Sequence, residues 1–317
     1  MSKLIIITGP TSVGKTGLSL KLAERIDGEI ISADSMQVYR HMDIGTAKIK
    51  PEEMNGVPHH LIDVLEPTQE YNVTMFKDSA KEAINKIEAR GHVPVIAGGT
   101  GFYIQALLYD VDFSDTAQTE YRKELIKLAE KEGGKALHDM LKECDKEASE
   151  YIHFNDIKRL TRALEYYHET GMRISEHNAD ARRRSSPYDF AYFVLNIPRD
   201  ELYDNIDKRV DLMIEQGLID EVKALAAMGL DESMVSMKGL GYKEILRYLE
   251  GKISLEEAVY IIKRDTRHFA KRQLTWFRRE RDCIWINKDR FGYDDEKILG
   301  YMIEKIGDLN VQNRRTV

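Results

Sequence analysis

The chain has 317 residues, of which 42% are apolar and 32% are charged. At about 150 residues per domain, this length predicts two domains, or one large core with an insertion. The composition is typical of a soluble globular protein and excludes collagen-like, low-complexity and wholly disordered chains. The chain has 47 Lys and Arg residues and 54 Asp and Glu residues, which gives a net charge of −7. Because the protein as a whole is acidic, it could bind a nucleic acid only through a local basic patch.

The two cysteines, Cys144 and Cys283, are far apart and lie in no CxxC or Cys/His cluster. This spacing excludes a disulfide framework and a cysteine-rich zinc module, and it is typical of a reducing compartment. The apolar run before Gly9 is too short for a signal peptide, and no later run approaches the roughly 18 apolar residues of a membrane span. We therefore expect a cytoplasmic protein without membrane contact.

The first hundred residues alternate between short apolar runs and segments of helical periodicity. The predicted strands cover residues 4–7, 29–32, 60–65 and 93–97. The predicted helices cover residues 15–26 and 72–90. Alternation of this kind indicates an α/β fold with a parallel sheet and helices on both faces.

The pattern changes after residue 112. Helical spacing continues from about 115 to 176 without a credible strand, and residues 179–187 are a polar break. The apolar run at 190–197 then predicts a strand that rejoins the sheet. We therefore predict a helical insertion domain at 113–188, within an α/β core formed by 1–112 and 189–317. The end of the core is mostly helical, with one late strand at 283–286.

A phosphate-binding loop is predicted directly after the first strand, where the sequence fits G-x-x-x-x-G-K-[ST] and opens a helix. Its glycines let backbone N–H groups turn inward around an anion, and the helix N-terminus adds its positive end. Lys15 would reach the outer phosphate, and the Thr16 hydroxyl can ligate Mg²⁺. The predicted diphosphate site consists of Gly9, Pro10, Thr11, Ser12, Val13, Gly14, Lys15 and Thr16. The loop indicates a diphosphate or triphosphate, but not the molecule that carries it.

Two further segments follow strands at the same predicted edge of the sheet. Asp34 follows the second strand, where a carboxylate can act as a general base or an indirect Mg²⁺ partner, or simply as the N-cap of a following helix. Its position near the phosphate loop favours the functional interpretation. The turn at 98–101, GGTG, brings the Thr100 hydroxyl to this edge. The strand before it ends in glycine where a motor ATPase carries an acid, which argues against an ATP-driven machine.

A basic helix is predicted near the C-terminus. Ser254 and Glu257 have the spacing of a capping box. Apolar residues recur at every seventh position, at Leu255, Ile262, Phe269 and Trp276. The roughly opposite face carries Arg264, Arg267, Lys271 and Arg278. Between 263 and 281, eight basic side chains stand against two acidic ones.

Such a run is either a solvated face or a surface for nucleic-acid phosphates. Further basic clusters at 158–162 and 182–184, in or beside the predicted insertion, favour contact with a polyanion.

Eight strings, in order along nearly the whole chain, carry a resemblance to a known family. They are GPTSVGKT (9–16), DSMQVYR (34–40), GTAK (45–48), PHHLID (58–63), GGTGFY (98–103), NDIKRLTRALE (155–165), GLGYKE (239–244) and KRQLTWFR (271–278). Together they resemble the tRNA dimethylallyltransferase (tRNA isopentenyltransferase) family, in its bacterial form without a zinc-finger extension. The resemblance implies a P-loop NTPase-like core that binds Mg²⁺.

The resemblance also implies an activity, the transfer of a dimethylallyl group from dimethylallyl diphosphate to tRNA. The acceptor is N6 of the adenosine on the 3′ side of the anticodon, and the product is N6-isopentenyladenosine. By similarity, Asp34 takes the proton from the amine and Thr100 helps to hold the amine or Asp34. Arg209, which would otherwise be a surface arginine, adds a cation at the diphosphate. The insertion domain would grip the anticodon stem-loop, and we expect a monomer.

By the same resemblance, a further set of residues would contact the tRNA. These are Asp34, Ser35, Met36, Gln37, Arg122, Lys158, Arg159, Leu160, Thr161, Arg162, Lys238, Gly239, Gly241, Tyr242, Lys243, Lys271, Arg272, Gln273, Thr275, Trp276 and Arg278.

Two other functions remain open at the level of sequence. A P-loop kinase of a small molecule or nucleotide would carry the same loop, base and Mg²⁺ chemistry. A regulatory RNA-binding protein could use the loop only to sense a nucleotide, and replacing Asp34 would then leave its output intact.

Overall fold

Among the residues that the computed structural model describes, 3–110, 119–183 and 185–313, six strands form one parallel sheet. The strands are β1 (Lys3–Thr8), β2 (Gly28–Ser32), β3 (His59–His60), β4 (Val93–Gly98), β5 (Asp189–Asn196) and β6 (Cys283–Asn287). Their order across the sheet is β3-β2-β4-β1-β5-β6, and every neighbouring pair is parallel. The predicted α/β fold with a parallel sheet is confirmed.

Helices make up most of the rest of the described residues, and several of them flank the sheet. They are α1 (Lys15–Ile26), α2 (Val73–Ala89), α3 (Gly101–Leu108), α4 (Glu120–Glu132), α5 (Gly134–Cys144), α6 (Lys146–Tyr151), α7 (Ile157–Thr170), α8 (Ile174–Arg183), α9 (Arg199–Glu215), α10 (Leu218–Ala227), α11 (Tyr242–Leu249), α12 (Leu255–Phe277) and α13 (Asp295–Asn313). In the described part of the chain, no helix has both the length and the apolar character that a membrane span needs.

The chain divides into two compact units. The first unit comprises residues 1–108 and 187–317 and contains the sheet, and the second unit comprises residues 109–186 and contains α4 to α8. The second unit has a core of its own, formed by Leu125, Leu137, Leu141, Ala148, Ile152, Leu160, Ala163 and Leu164. The predicted start of the insertion, at 113, falls within 111–118 and so lies outside the described residues.

The register of the sheet aligns the carboxyl ends of its central strands. Thr8 at the end of β1 lies opposite Gly98 of β4, and Ser32 at the end of β2 lies opposite Ala97. Residues 4–8 of β1 are buried, because neighbouring strands and helices cover this apolar, largely β-branched run on both faces. The loops that leave these three strands therefore start at one edge of the sheet.

The strand predicted at 60–65 is mostly wrong. Only His59 and His60 pair with β2, and the chain then turns, with positive φ angles of 61° at Leu61 and 54° at Asp63. The Lys48 ammonium lies 2.6 Å from the Asp63 carboxylate. The backbone N–H groups of Asp63 and Val64 bond to the carbonyls of residues 37 and 38, so this segment packs on a neighbouring turn instead of extending the sheet.

The polar break predicted at 179–187 begins too early. Helix α8 continues to Arg183, because residues 179–183 contain no Gly or Pro and are compatible with a helix. Arg182 and Arg183 of the basic cluster therefore lie on a helix, whereas Arg184 lies outside the described residues.

Helix α12 begins as predicted, with the Ser254 hydroxyl accepting a hydrogen bond from the Glu257 N–H. Its predicted apolar seam is wrong in part, because Phe269 is exposed. The buried positions are Ala258, Ile262, Ala270, Gln273 and Phe277. A straight α-helix drifts by about 20° for every seven residues, so a strict seven-residue repeat leaves the buried face over this length.

We predict that Asp145→Asn destabilises the second unit. The buried Asp145 carboxylate caps α6 through the Ala148 N–H (3.0 Å) and accepts bonds from the Ser175 N–H (2.9 Å) and hydroxyl (2.7 Å). An asparagine amide would direct its NH₂ group at one of these donors, and we expect a loss of about 2 kcal/mol of stability. Hydrogen exchange in α6 and α8 of the full chain measures the effect. Asp139→Asn, on the exposed face of α5, is the matched control and should change nothing.

Candidate active site

The predicted phosphate loop connects β1 to α1 and has the backbone that an anion cradle needs. Its φ angles are positive at Gly9 (147°), Ser12 (62°) and Gly14 (89°). At Gly9, a Cβ atom would lie 2.5 Å from the carbonyl oxygen of Leu195, so no other residue fits there. The buried Ser12 hydroxyl has no hydrogen-bond partner in the described structure.

Lys15 is held over the phosphate loop. Its Nζ atom donates to the carbonyls of Gly9 (3.1 Å) and Pro10 (2.8 Å). Burial, and then the positive charge of Arg209, lower the pKa of Lys15 to about 7, while the Asp34 carboxylate acts in the opposite direction. Burial also lowers the pKa of Arg209, again opposed by Asp34. The fold thus brings Arg209, a residue of α9, within electrostatic range of the loop and of Asp34.

Asp34 leaves the sheet directly after β2 and stabilises a turn, not a helix. Its Oδ1 atom accepts hydrogen bonds from the N–H groups of Met36 (2.9 Å) and Gln37 (3.4 Å). The N-cap interpretation is therefore wrong, because the residues that follow form turns. The Thr100 hydroxyl accepts a bond from the Ser35 N–H (3.3 Å), so Thr100 stabilises the segment that carries Asp34.

The GGTG turn allows β2 and β4 to approach closely at this edge. A Cβ atom at Gly98 would lie 2.3 Å from the carbonyl oxygen of Ala33. The Thr100 N–H donates to that same carbonyl (3.1 Å). The glycine therefore has a packing reason, which the sequence pattern did not reveal.

Gln273 connects the phosphate loop with the GGTG turn. Its Oε1 atom accepts from the Thr11 N–H, and its Nε2 atom donates to the Gly99 carbonyl, both at 2.9 Å. The side chain is buried, and a Cβ atom at Gly99 would lie 2.4 Å from Nε2. Both polar atoms of the Gln273 amide are therefore bonded inside the protein. The side chain stabilises the two turns, and it lacks the exposure that a contact with RNA requires.

Lys15, Thr16 and Asp34 line one cavity of about 440 Å³, part of which is open to solvent. The other polar lining residues are Ser19, Ser32, Gln37 and His59. Its apolar lining is formed by Ile30, Ile49, Ile62 and Ala97, next to Gly98. The end of the phosphate loop and the predicted base therefore share a cavity that has both polar and apolar lining residues.

Sequence reasoning missed His59 and the isoleucines of this cavity. His59 donates its Nδ1 hydrogen to the Val57 carbonyl (2.8 Å), and burial lowers the pKa of its imidazole. The sequence contains one signal for this histidine, the PHHLID string at 58–63. Ile30, Ile49 and Ile62 come from separate segments, and only the fold brings them together.

The residues predicted to contact tRNA differ widely in exposure. The exposed ones are Lys158, Arg159, Lys238, Lys271, Arg272, Thr275 and Arg278. The partly buried ones are Asp34, Ser35, Met36, Gln37, Arg122, Arg162, Gly239, Lys243 and Trp276. The buried ones are Leu160, Thr161, Gly241, Tyr242 and Gln273. The four side chains of this last group are buried and Gly241 has none, so the group offers no side-chain surface to a partner in this conformation.

Arg122 and Trp276 also have contacts within the protein. The Arg122 guanidinium binds the buried Glu165 carboxylate, with Nε at 3.0 Å from Oε2. Trp276 packs edge-on against Phe102, with ring centroids 6.1 Å apart, and a Cβ atom at Gly101 would lie 2.3 Å from its ring.

Comparison with known proteins places the chain in one family. The family model for IPP transferases matches residues 37–280. A tRNA dimethylallyltransferase of Lachnoclostridium phytofermentans is 61% identical over 312 residues, which cover 98% of this chain and 99% of that protein.

Solved structures agree with this assignment. A tRNA isopentenylpyrophosphate transferase of Bacillus halodurans has a TM-score of 0.75 at 43% identity, covering 99% of this chain and 100% of that one. A eukaryotic dimethylallyltransferase acting on tRNA has a TM-score of 0.72 at 31% identity, covering 87% of this chain and 70% of that one. With a family model matching most of its length and a curated relative aligned over nearly all of it, the chain belongs to the IPP transferase family.

Proposed function

We propose that this protein transfers the dimethylallyl group of dimethylallyl diphosphate to N6 of the adenosine on the 3′ side of the anticodon of tRNAs. The product is N6-isopentenyladenosine. The observation that carries this proposal is that Asp34 and the phosphate loop line the same cavity. The 61% identical relative is named a tRNA dimethylallyltransferase, which supports the same reaction and not the kinase alternative.

The phosphate loop and the polar lining residues of the cavity suit a diphosphate leaving group. The positive φ angles at Gly9, Ser12 and Gly14 turn the loop backbone into an anion cradle, and Lys15 and Arg209 add positive charge. Groups fixed in this way stabilise the negative charge that develops as the carbon–oxygen bond breaks. The unpartnered Ser12 hydroxyl is a further group that a phosphate oxygen would satisfy.

The apolar lining residues of the cavity suit the five-carbon chain. Ile30, Ile49 and Ile62 offer a hydrocarbon surface next to the phosphate loop. Such a surface also excludes water, which would otherwise compete with the amine for the allylic carbon.

Asp34 is the proposed general base. The adenine N6 forms a bond to the allylic carbon, the bond from that carbon to oxygen breaks, diphosphate leaves, and the proton on nitrogen passes to the carboxylate. Because Oδ1 is bound by two backbone N–H groups, the carboxylate is held in one orientation. Thr100 supports the same turn through Ser35.

A magnesium ion fits the residues present. Thr16 is exposed at the start of α1, and the described residues contain no group of three or more His, Cys, Asp or Glu side chains that could hold a metal by themselves. Mg²⁺ keeps several waters and commonly binds through few protein oxygens plus substrate phosphates, which matches this donor set. When bound, it would neutralise charge on the diphosphate.

Basic side chains supply the proposed grip on the RNA. In the first unit, Lys271, Arg272 and Arg278 are exposed on or beside α12, and in the second unit Lys158 and Arg159 are exposed on α7. Such groups bind the phosphates of an anticodon stem-loop, and the helical insertion would provide part of this contact.

We predict that Asp34→Asn abolishes transfer but not RNA binding. Asparagine keeps the Oδ1 acceptor that holds the turn and removes the base, and we expect turnover to fall by about 10²-fold or more. Mass analysis of tRNA nucleosides after incubation with dimethylallyl diphosphate and Mg²⁺ measures the reaction. ATP consumption without prenylated adenosine in the wild type would instead indicate the kinase.

We predict that the double variant Lys271→Gln/Arg278→Gln binds tRNA more weakly and with a smaller salt dependence. Each lost phosphate contact lowers the slope of log K against log salt by about 0.7 to 0.9, so the pair should lower it by about 1.5. The matched control, Arg290→Gln/Lys297→Gln, removes two exposed charges elsewhere and should keep the wild-type slope. Equal slopes in both double variants would contradict this role of α12.

We predict that diphosphate binding takes up a proton through Lys15. With a pKa of about 7, Lys15 is mostly neutral at pH 8, and a bound anion raises this pKa and protonates the amine. Calorimetry of dimethylallyl diphosphate binding at pH 8, in buffers of different ionisation enthalpy, should therefore show uptake close to one proton. The variant Lys15→Arg is charged at every pH of the experiment, so it should bind the diphosphate without proton uptake. Equal proton uptake by both proteins would contradict Lys15 as the group that is protonated.

A further inference from the structure

A single carboxylate of α10 holds the loop at residues 43–48, which includes the GTAK string. The Oε2 atom of Glu221 accepts from the N–H groups of Asp43 (2.9 Å) and Ile44 (2.7 Å), and Oε1 accepts from that of Gly45 (3.1 Å). Three successive backbone donors around an anion form the kind of concavity that binds free phosphates in other proteins. Here a side chain of the protein occupies it.

The same carboxylate also binds the start of α11. The Tyr242 hydroxyl donates to Glu221 Oε1 at 2.7 Å. Burial, and then the charge of Glu221, raise the pKa of this phenol, so it remains a donor at any ordinary pH. The Tyr242 ring lies so close to the loop that a Cβ atom at Gly45 would be 2.5 Å from it. Glu221 therefore joins the loop and the buried Tyr242 into one packed unit.

The far side of the loop orients a cavity residue. Gln37 donates from Nε2 to the carbonyls of Thr46 (3.3 Å) and Ala47 (3.4 Å). Its Oε1 atom accepts from the Ser32 hydroxyl (3.1 Å). Gln37 lines the cavity together with Asp34, three residues away. The orientation of its amide thus depends on a loop whose other end Glu221 holds.

We propose that Glu221 is a positioning residue for RNA recognition. Through loop 43–48 it holds Gln37 in the orientation in which its segment meets the target nucleotide beside Asp34. The inference rests on the proposed function, because it assigns this side of the cavity to the RNA. No hydrogen bond among the described residues joins loop 43–48 to the phosphate loop, so Glu221 should affect RNA binding and not diphosphate binding.

The test compares Glu221→Gln with the matched control Glu215→Gln at the exposed end of α9. A glutamine keeps the size of the side chain, but its NH₂ group faces backbone donors and removes about half of the bonds. We expect an anticodon stem-loop RNA to bind the E221Q protein about tenfold more weakly in fluorescence anisotropy. Calorimetry should give an unchanged Kd for dimethylallyl diphosphate, and the KM for RNA should rise while the KM for the diphosphate stays constant.

Two further measurements test the route through the loop. The amides of residues 43–45 should exchange hydrogen faster in E221Q than in E215Q. The double variant Glu221→Gln/Gln37→Met should bind RNA no more weakly than the weaker of its two single variants, because both changes act on one contact. Additive losses would contradict this route. If E221Q does not fold, the variant Tyr242→Phe tests the same proposal, because it removes only one hydrogen bond to Glu221. Tyr242→Phe should weaken RNA binding about threefold and leave diphosphate binding unchanged.

Unchanged RNA affinity in E221Q, or equal losses of RNA and diphosphate affinity, would overturn the proposal and leave Glu221 a merely structural residue. These binding and exchange measurements need no turnover. Failure of the wild type to form isopentenyladenosine would therefore refute the proposed function separately, while the affinities still decide the role of Glu221.

Discussion

The close approach of β2 and β4 at their carboxyl ends is the constraint on which the candidate site depends. Ala33 donates its N–H to the Ala97 carbonyl (2.8 Å) and accepts from the Thr100 N–H (3.1 Å), so the pairing continues past the ends of both strands. Only glycine at position 98 leaves room for this contact. Because β1 pairs with β4 in the same register, Asp34 leaves the sheet at the level of the phosphate loop. A shift by one residue would turn the side chains of β2 to the opposite face of the sheet.

The electrostatics of the cavity follow from this arrangement. Lys15 and Arg209 lie within electrostatic range of each other and share one nearby carboxylate, Asp34, in a partly buried site. Two buried cations against one anion are unfavourable until a further anion arrives, which is why burial and Arg209 lower the pKa of Lys15 to about 7. An anion bound between these two cations would relieve that repulsion.

Helix α12 has two faces near the candidate site, one that packs against it and one that is exposed. Lys271 and Arg278 are seven residues apart and point in nearly the same outward direction, whereas Gln273 is two residues on from Lys271, about 200° around the helix, and points inward. The inward face bonds to the phosphate loop and the GGTG turn, and the outward face is basic and exposed. The string KRQLTWFR thus combines exposed basic residues with a buried glutamine that holds the phosphate loop.

Local patterns were sufficient to predict the strands β1, β2, β4, β5 and β6, because burial on both faces produces consecutive apolar residues. The glycine spacing was sufficient to predict the turn between β1 and α1, and the strand pattern predicted that Asp34 lies near it. Tertiary contacts decided the rest. The chain after His60 turns because Lys48 and the turn at 37–38 bind it. In α12, the seven-residue spacing of apolar residues could not reveal that Phe269 lies outside the buried face of the helix. Gln273 and Tyr242 point inward because they bind residues far away in the chain. Gln273 binds Thr11, 262 positions away, and Tyr242 binds Glu221, 21 positions away. Sequence periodicity carries no information over such distances.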